Sequence, residues 1–288
     1  MNKKLLIAGD SYSTRWWKYN ESRMDPKDIP KIDRLWGDIV SDVLKLNLTD
    51  YLPIKGGVSN DWIVDKTVPY IIDHHQEIEC VLVLWTDFFR FTLHNSRIQH
   101  SFCTCAANHV KDLILKNKNH TSEFLSDVVA DRIRFADFAQ QQYLLPIHKA
   151  NPEEIVECVV RRAVIHQFKF LEMICKKYNI QYYFMQGAYA ASPLCRQESE
   201  NEHSPSCLLR MTEEKMIQSL LKYQSYIDTS KFIGWPLYKN KKIDENIKGF
   251  SFDSMTFNKV EYHVSERDKH PSQLGHELIA ETFLERLT

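Results

Sequence analysis

Three short stretches of this 288-residue chain carry residue types that could act together on an acyl group. The first is Gly9-Asp10-Ser11-Tyr12-Ser13, directly after a short apolar run. A serine there sits at the carboxyl end of a strand, where open α/β sheets bind their ligands. Gly9 permits a tight turn that exposes the hydroxyl, and backbone N–H groups in such a turn can meet a developing oxyanion. The second is Gly56-Gly57-Val58-Ser59-Asn60-Asp61. Its glycines let the backbone approach a ligand closely, and Asn60 could donate a side-chain hydrogen bond. The third is Asp268-Lys269-His270-Pro271-Ser272-Gln273-Leu274-Gly275-His276. His270 stands just before a helix that Pro271 would start, and Asp268 is close enough in sequence to orient it. A serine is a weak nucleophile until an adjacent base takes its proton, and a carboxylate can hold that base in the correct tautomer. Taken singly, each stretch reads better as a turn with a capping side chain, a capped loop or a helix cap.

These residues need a scaffold, and the chain supplies an alternating one. Lys4 to Ala8 reads as a buried strand, and Leu35 to Leu46 has apolar residues near helical spacing. Leu52 to Ile54 could be a brief second strand. Asp61 to His74 reads as a helix that Pro69 could kink or end. Val81 to Trp85 is a continuous apolar run that suits a parallel strand covered on both faces. Residues 106–115 and 123–143 read as helices inside a region, 91–150, of different character. Glu153 to Tyr178 reads as one long helix opened by Pro152, and Gln181 to Met185 as the next strand. Residues 192–206 read as a loop, Thr212 as the start of a further helix, and 228–268 as irregular. A last helix should run from Pro271, with Leu274, Leu278, Ile279, Phe283 and Leu287 on one face. Strand and helix alternating in this way predict an α/β fold with a parallel sheet and helices on both faces.

In combination and in this order, the three stretches resemble the SGNH (GDSL-like) hydrolase superfamily. Gly9, Asp10 and Ser11 match its first block, Gly57 its oxyanion-hole glycine, and Asp268 with His270 its last block. The Trp36-containing helix between the first two blocks is also similar. The resemblance covers roughly residues 1–90, 150–190 and 262–288. It implies one flavodoxin-like three-layer α/β/α domain over 1–288, with a helical insertion at 91–150 that could cover the site and an irregular one at 190–262. It implies a serine esterase working through an acyl-enzyme, with Ser11 as nucleophile, His270 as base and Asp268 steadying the imidazole. The backbone N–H groups of Ser11 and Gly57 would hold the oxyanion, with Thr86 or Asn60 as a further donor. No metal or organic cofactor is implied.

Two departures stand out. Where the family usually has Gly-x-Asn-Asp, this chain has Leu84-Trp85-Thr86-Asp87. The usual aspartate lies three residues before the histidine, a position held here by Arg267, while Asp268 lies two before. They leave three readings open: an esterase acting on a small acyl ester, such as an O-acetyl group on a glycan; a catalytically silent protein of this fold that binds a glycan or protein partner; and an O-acyltransferase using the same serine. Arg90 could pair with a carboxylate or phosphate near the site, or form a salt bridge to a helix. Trp16, Trp17 and Tyr19 could line a pocket or belong to the core. Gly57-Val58-Ser59-Asn60 with His270-Pro271-Ser272 and Gly275-His276 is similar to SGNH-like proteins encoded by tailed phages, which would allow virion association.

Composition narrows the setting. The chain is 43% hydrophobic and 26% charged, ordinary for a globular protein. A net charge of −1 provides no global pull toward nucleic acid or an anionic membrane, so neither is expected as a partner. Seven cysteines suggest no disulfide framework, and the Cys103/Cys105 pair lacks a second pair at metal-ligand spacing. Cys158 and Cys175 fall in the long helix and would act as small apolar residues. The run Leu5 to Ala8 is too short for a signal-peptide core, and no stretch of about 20 apolar residues exists to span a membrane. The expected location is therefore cytoplasmic.

Overall fold

Five parallel strands organise the computed structural model, which describes residues 3–15, 29–49, 51–52, 58–86, 88, 90–94, 99–103, 152–187, 212–236, 249–256, 259–265 and 270–287. For 90–94, 99–103, 152–156 and 212–215 it describes the backbone alone. In chain order the elements are β1 (Lys4–Gly9), α1 (Trp36–Leu44), β2 (Asn47–Leu48), α2 (Asn60–His74), β3 (Ile78–Trp85), β4 (Arg90–His94), β5 (Gln99–Cys103), α3 (Pro152–Arg161), a π-helical stretch (Arg162–Phe168), α4 (Lys169–Lys177), β6 (Gln181–Gln186), α5 (Thr212–Tyr223), β7 (Phe232–Ile233), a short α6 (Phe252–Met255) and α7 (Gln273–Leu287).

The main sheet has the order β2-β1-β3-β6-β7, all parallel. Its strands are apolar on both sides because both faces are covered. Leu6 and Ala8 of β1, Val81, Val83 and Trp85 of β3, and Tyr182 and Phe184 of β6 enter one core with residues of α2, the α3–α4 helix and α5. Leu5 and Ile7, then Cys80, Leu82 and Leu84, then Met185, enter the opposite core with residues of α1, α6 and α7. There Trp36 stacks on Phe283 with ring centroids 4.9 Å apart and planes 15° apart. The result is a three-layer α/β/α, flavodoxin-like arrangement, with the parallel sheet and two covered faces that the alternation predicts. Numbering only the strands of this sheet gives 2-1-3-4-5, so the order reverses between β1 and β3. Open α/β sheets bind their ligands at such a reversal, outside the carboxyl ends of the two strands.

Several elements depart from expectation. The second strand is Asn47–Leu48, and Leu52 contributes only a single bridge to Ala8. Pro69 lies inside α2 without ending it, since Thr67, Val68 and Ile71 around it are buried against the sheet. The 91–150 region opens with an antiparallel hairpin of β4 and β5; the helices expected at 106–115 and 123–143, and the loop at 192–206, lie outside the described residues. The long helix spans its expected length but contains the π-helical stretch. The region expected to be irregular supplies the fifth strand, β7, paired with Phe184 and Met185. Pro271 does not start α7. It bridges to His263, and the helix begins at Gln273, where the Ser272 hydroxyl accepts from the Gly275 N–H at 3.3 Å.

Among the described residues no helix is long and apolar enough to cross a membrane. Also among them, no group of three or more His, Cys, Asp or Glu is placed to hold a metal ion. Cys80 and Cys175 are buried thiols and Cys158 is exposed. Burial pushes the Cys80 thiol up to about 12 and raises that of Cys175 as well.

Candidate active site

The first stretch arrives at the carboxyl ends of β1 and β3. β1 ends at Gly9, and Asp10 to Thr14 turn away from the sheet with the Ser13 N–H donating to the Asp10 carbonyl at 2.9 Å. Gly9 is needed for this turn. A Cβ there would lie 2.1 Å from Ser13 Oγ and 2.9 Å from the Leu84 carbonyl of the neighbouring strand. Asp10 organises the turn through its side chain. Its Oδ1 accepts the Tyr12 N–H at 2.9 Å, and its Oδ2 accepts the Thr86 hydroxyl at 2.6 Å. Ser11, between them, is 7% exposed. Below the turn, Ser13 Oγ accepts the Trp36 indole N–H at 3.3 Å, which joins the turn to α1.

Thr86 is the first residue after β3, and its peptide is held from two sides. Asn60, at the start of α2, accepts the Thr86 N–H with Oδ1 at 2.9 Å and donates Nδ2–H to the Thr86 carbonyl at 3.1 Å. The two backbone partners fix which end of the amide is oxygen. Gln186, the last residue of β6, donates a second hydrogen bond to the same carbonyl at 2.7 Å. Asp10, Asn60, Thr86 and Gln186 are all buried, so this network is shielded from water and each hydrogen bond in it is strengthened. The Thr86 hydroxyl spends its single proton on Asp10. The Asn60 amide nitrogen carries a second hydrogen beyond the one given to Thr86. Of the two side chains considered for the oxyanion, Asn60 is thus the one with a hydrogen left over from the bonds made among the described residues.

The third stretch approaches from α7. The His270 carbonyl accepts the Val264 N–H at 2.9 Å, and the Ser272 N–H donates to the Tyr262 carbonyl at 2.9 Å, so the chain entering α7 is strapped to the 259–265 segment. Gly275 permits this close approach, since a Cβ there would meet the Tyr262 carbonyl at 2.3 Å. The His270 ring lies edge-on to Tyr12, with centroids 5.6 Å apart, which brings it beside the residue that follows Ser11. Tyr12 also packs edge-on against Phe252 at 5.8 Å and donates its hydroxyl to Asp253 Oδ1 at 3.1 Å. Asp253 is a buried carboxylate at this end of the sheet, with its N–H donated to the Gly187 carbonyl just past β6. The sequence reading missed it, because nothing in the local pattern of a four-residue helix distinguishes it from a solvated turn.

α7 also locks the entry to α1. Gln273 Oε1 accepts the N–H groups of Asp33 and Arg34 at 3.0 and 3.2 Å, and His276 Nδ1 accepts that of Trp36 at 3.4 Å. Burial, with smaller electrostatic contributions from Arg15 and His270, drops His276 to about 3. It is thus a neutral acceptor.

The structure brings Asp10, Ser11, Asn60 and Thr86 together and sets His270 against the neighbouring Tyr12. Gly57 and Asp268 lie outside the described residues, as do Trp16, Trp17 and Tyr19. Arg90 opens β4, and only its backbone is described. Comparison of the chain with protein-family models, with curated proteins and with solved structures returned no match.

Proposed function

We propose that this protein is a serine esterase of the SGNH type, with Ser11 as nucleophile and His270 as general base. The observation that carries the proposal is the contact of His270 with Tyr12, at the β1 turn of the strand-order reversal, although the two residues are far apart in sequence. In the proposed reaction Ser11 Oγ attacks the carbonyl carbon of an ester while its proton passes to His270. The tetrahedral oxyanion is met by backbone N–H groups of the Ser11 turn and of Gly57, with Asn60 as side-chain donor. The carbon–oxygen bond to the leaving alcohol then breaks, and His270 returns the proton to that alcohol. Water, activated by His270, repeats the sequence and releases the acid. Asp268 is the proposed partner that holds the imidazole. The substrate class proposed is a small acyl ester, with O-acetylated glycans first to be tried.

One observation favours a second reading, a silent binder on this fold. The Thr86 hydroxyl is committed to Asp10, so the position that departs from the family pattern contributes no free donor to the site. Fluorophosphonate labelling read by intact mass decides between them. Stoichiometric labelling of wild type that disappears in Ser11→Ala supports the esterase, and an acyl-ester panel including acetylated sugars then defines the substrate. A folded wild type that takes up no label overturns it in favour of binding.

A further inference from the structure

The helix that covers one face of the sheet changes its winding beside the candidate site. From Arg162 to Phe168 it follows the wider π pattern, and the Lys169 N–H donates to the Val164 carbonyl, five residues back. Residues five apart on an α-helix point about 140° away from each other, because each residue turns the helix by about 100°. The π turn, closed by i→i+5 bonds, winds less per residue and brings such residues onto the same side of the helix. Arg162 and Gln167 are five apart, and both reach Asp61, the second residue of α2. Gln167 Nε2 donates to Asp61 Oδ1 at 2.6 Å, and an Arg162 Nη atom lies 3.9 Å from Asp61 Oδ2. Arg162 also donates to the Phe88 carbonyl at 3.0 Å. Phe168, fully buried at the end of the stretch, packs on Trp85 with centroids 4.8 Å apart and on Phe88 at 5.6 Å.

Besides a ring contact of Phe168 with Phe232 of β7, centroids 5.0 Å apart, these contacts fall on two places. One is the first turn of α2, next to Asn60. The other is the exit of β3, on either side of Thr86. Asn60 and Thr86 clasp each other between those places, and Thr86 in turn holds Asp10, whose other oxygen shapes the Ser11 turn. We infer that the π-helical stretch is a positioning device for the candidate site, in which Arg162, Gln167 and Phe168 set the relative position of the α2 start and the β3 exit and thereby the Thr86–Asp10–Ser11 geometry. Its consequence for catalysis rests on the esterase reading; its mechanical content does not.

Amide hydrogen exchange on the full chain tests this. Gln167→Leu removes one arm at nearly constant volume, Arg162→Met removes the other, and Gln167→Asn is a milder variant that withdraws the amide by one methylene. Each is compared with wild type in enough urea to match the variant's global stability. The Thr86 and Tyr12 N–H groups, both donated to side chains of the network, are expected to exchange about tenfold faster in the variants than in the matched wild type, the size of one charge-assisted hydrogen bond lost locally. Fluorophosphonate labelling of Ser11 should slow in the same variants. Equal exchange at Thr86 and Tyr12 in variant and matched wild type would overturn the inference, leaving the π turn as core packing. A wild type that does not label would remove the esterase reading alone, since the exchange comparison is decided without it.

Discussion

His276 makes the stability of this protein depend on pH in a window that can be worked out in advance. The ring is buried between α1 and α7 and accepts the Trp36 N–H, so protonating it would place a charge in a dry site and abolish the acceptor at Nδ1. Its value falls from 6.5 to about 3, chiefly through burial. Between those values the unfolded chain binds a proton that the native state refuses, so stability must fall as the pH drops from above 6.5 toward 3. From pH 7 to pH 5 the unfolded state gains about 1.4 pK units of protonation free energy that the native state does not, or about 2 kcal/mol. The substitution that isolates this effect is His276→Asn, whose Oδ1 can stand near the imidazole Nδ1 and accept the same N–H without titrating. Urea unfolding of both proteins at pH 7 and pH 5 is the assay. The variant starts less stable because it leaves space where the ring was, but that cost is independent of pH. Wild type should lose about 2 kcal/mol more than His276→Asn over this interval. Equal losses would refute the reasoning, since they would mean that His276 takes up its proton in the native state as readily as in the unfolded one.

Other outcomes follow from single contacts. Gly9→Ala forces a Cβ against the Leu84 backbone as well as Ser13 Oγ, so thermal unfolding should show a loss of about 1–3 kcal/mol and Ser11 labelling should fail. Thr86→Val deprives Asp10 of a buried donor and should cost about 1.5–3 kcal/mol by urea titration, while Thr86→Ser, which keeps the hydroxyl, should restore most of it. Burial alone would raise the Glu172 carboxyl, but hydrogen bonds from Lys176, the Asp228 N–H and Lys169 hold it below its ordinary value. Its contribution is therefore present above the ordinary carboxylate value and lost as pH falls from there through the lower value of the folded state. Glu172→Gln should lower stability by about 1–3 kcal/mol at pH 7, with the gap to wild type closing in acid.

Much of this architecture is written in local pattern. β1 and β3 are recognisable because both of their faces are buried, which demands uninterrupted apolar runs, and the helices between them because one stripe meets the sheet. Gly9-Asp10-Ser11 is legible for a related reason: the end of a buried strand at a glycine predicts a tight turn whatever the chain does later. By contrast β7 is only two residues long, too short to carry a period, and exists because β6 offers it an edge. Pro271 has the ring suited to a first helical position, yet pairing with His263 draws it into a bridge and delays α7 to Gln273.

The sequence by itself thus determined the α/β class, the parallel sheet and the loop that holds Ser11, since each depends on the spacing of apolar residues and glycines within one segment. Only the tertiary structure decided which side chains share the candidate site. It committed the Thr86 hydroxyl to Asp10, clasped Asn60 to the Thr86 peptide, recruited Gln186 and Asp253, and wound Arg162 to Phe168 as a π turn. These are hydrogen bonds and ring contacts between residues from different elements, and their geometry arises when the layers close. A buried donor takes whichever acceptor the packing leaves beside it, and no pattern within one element records that choice.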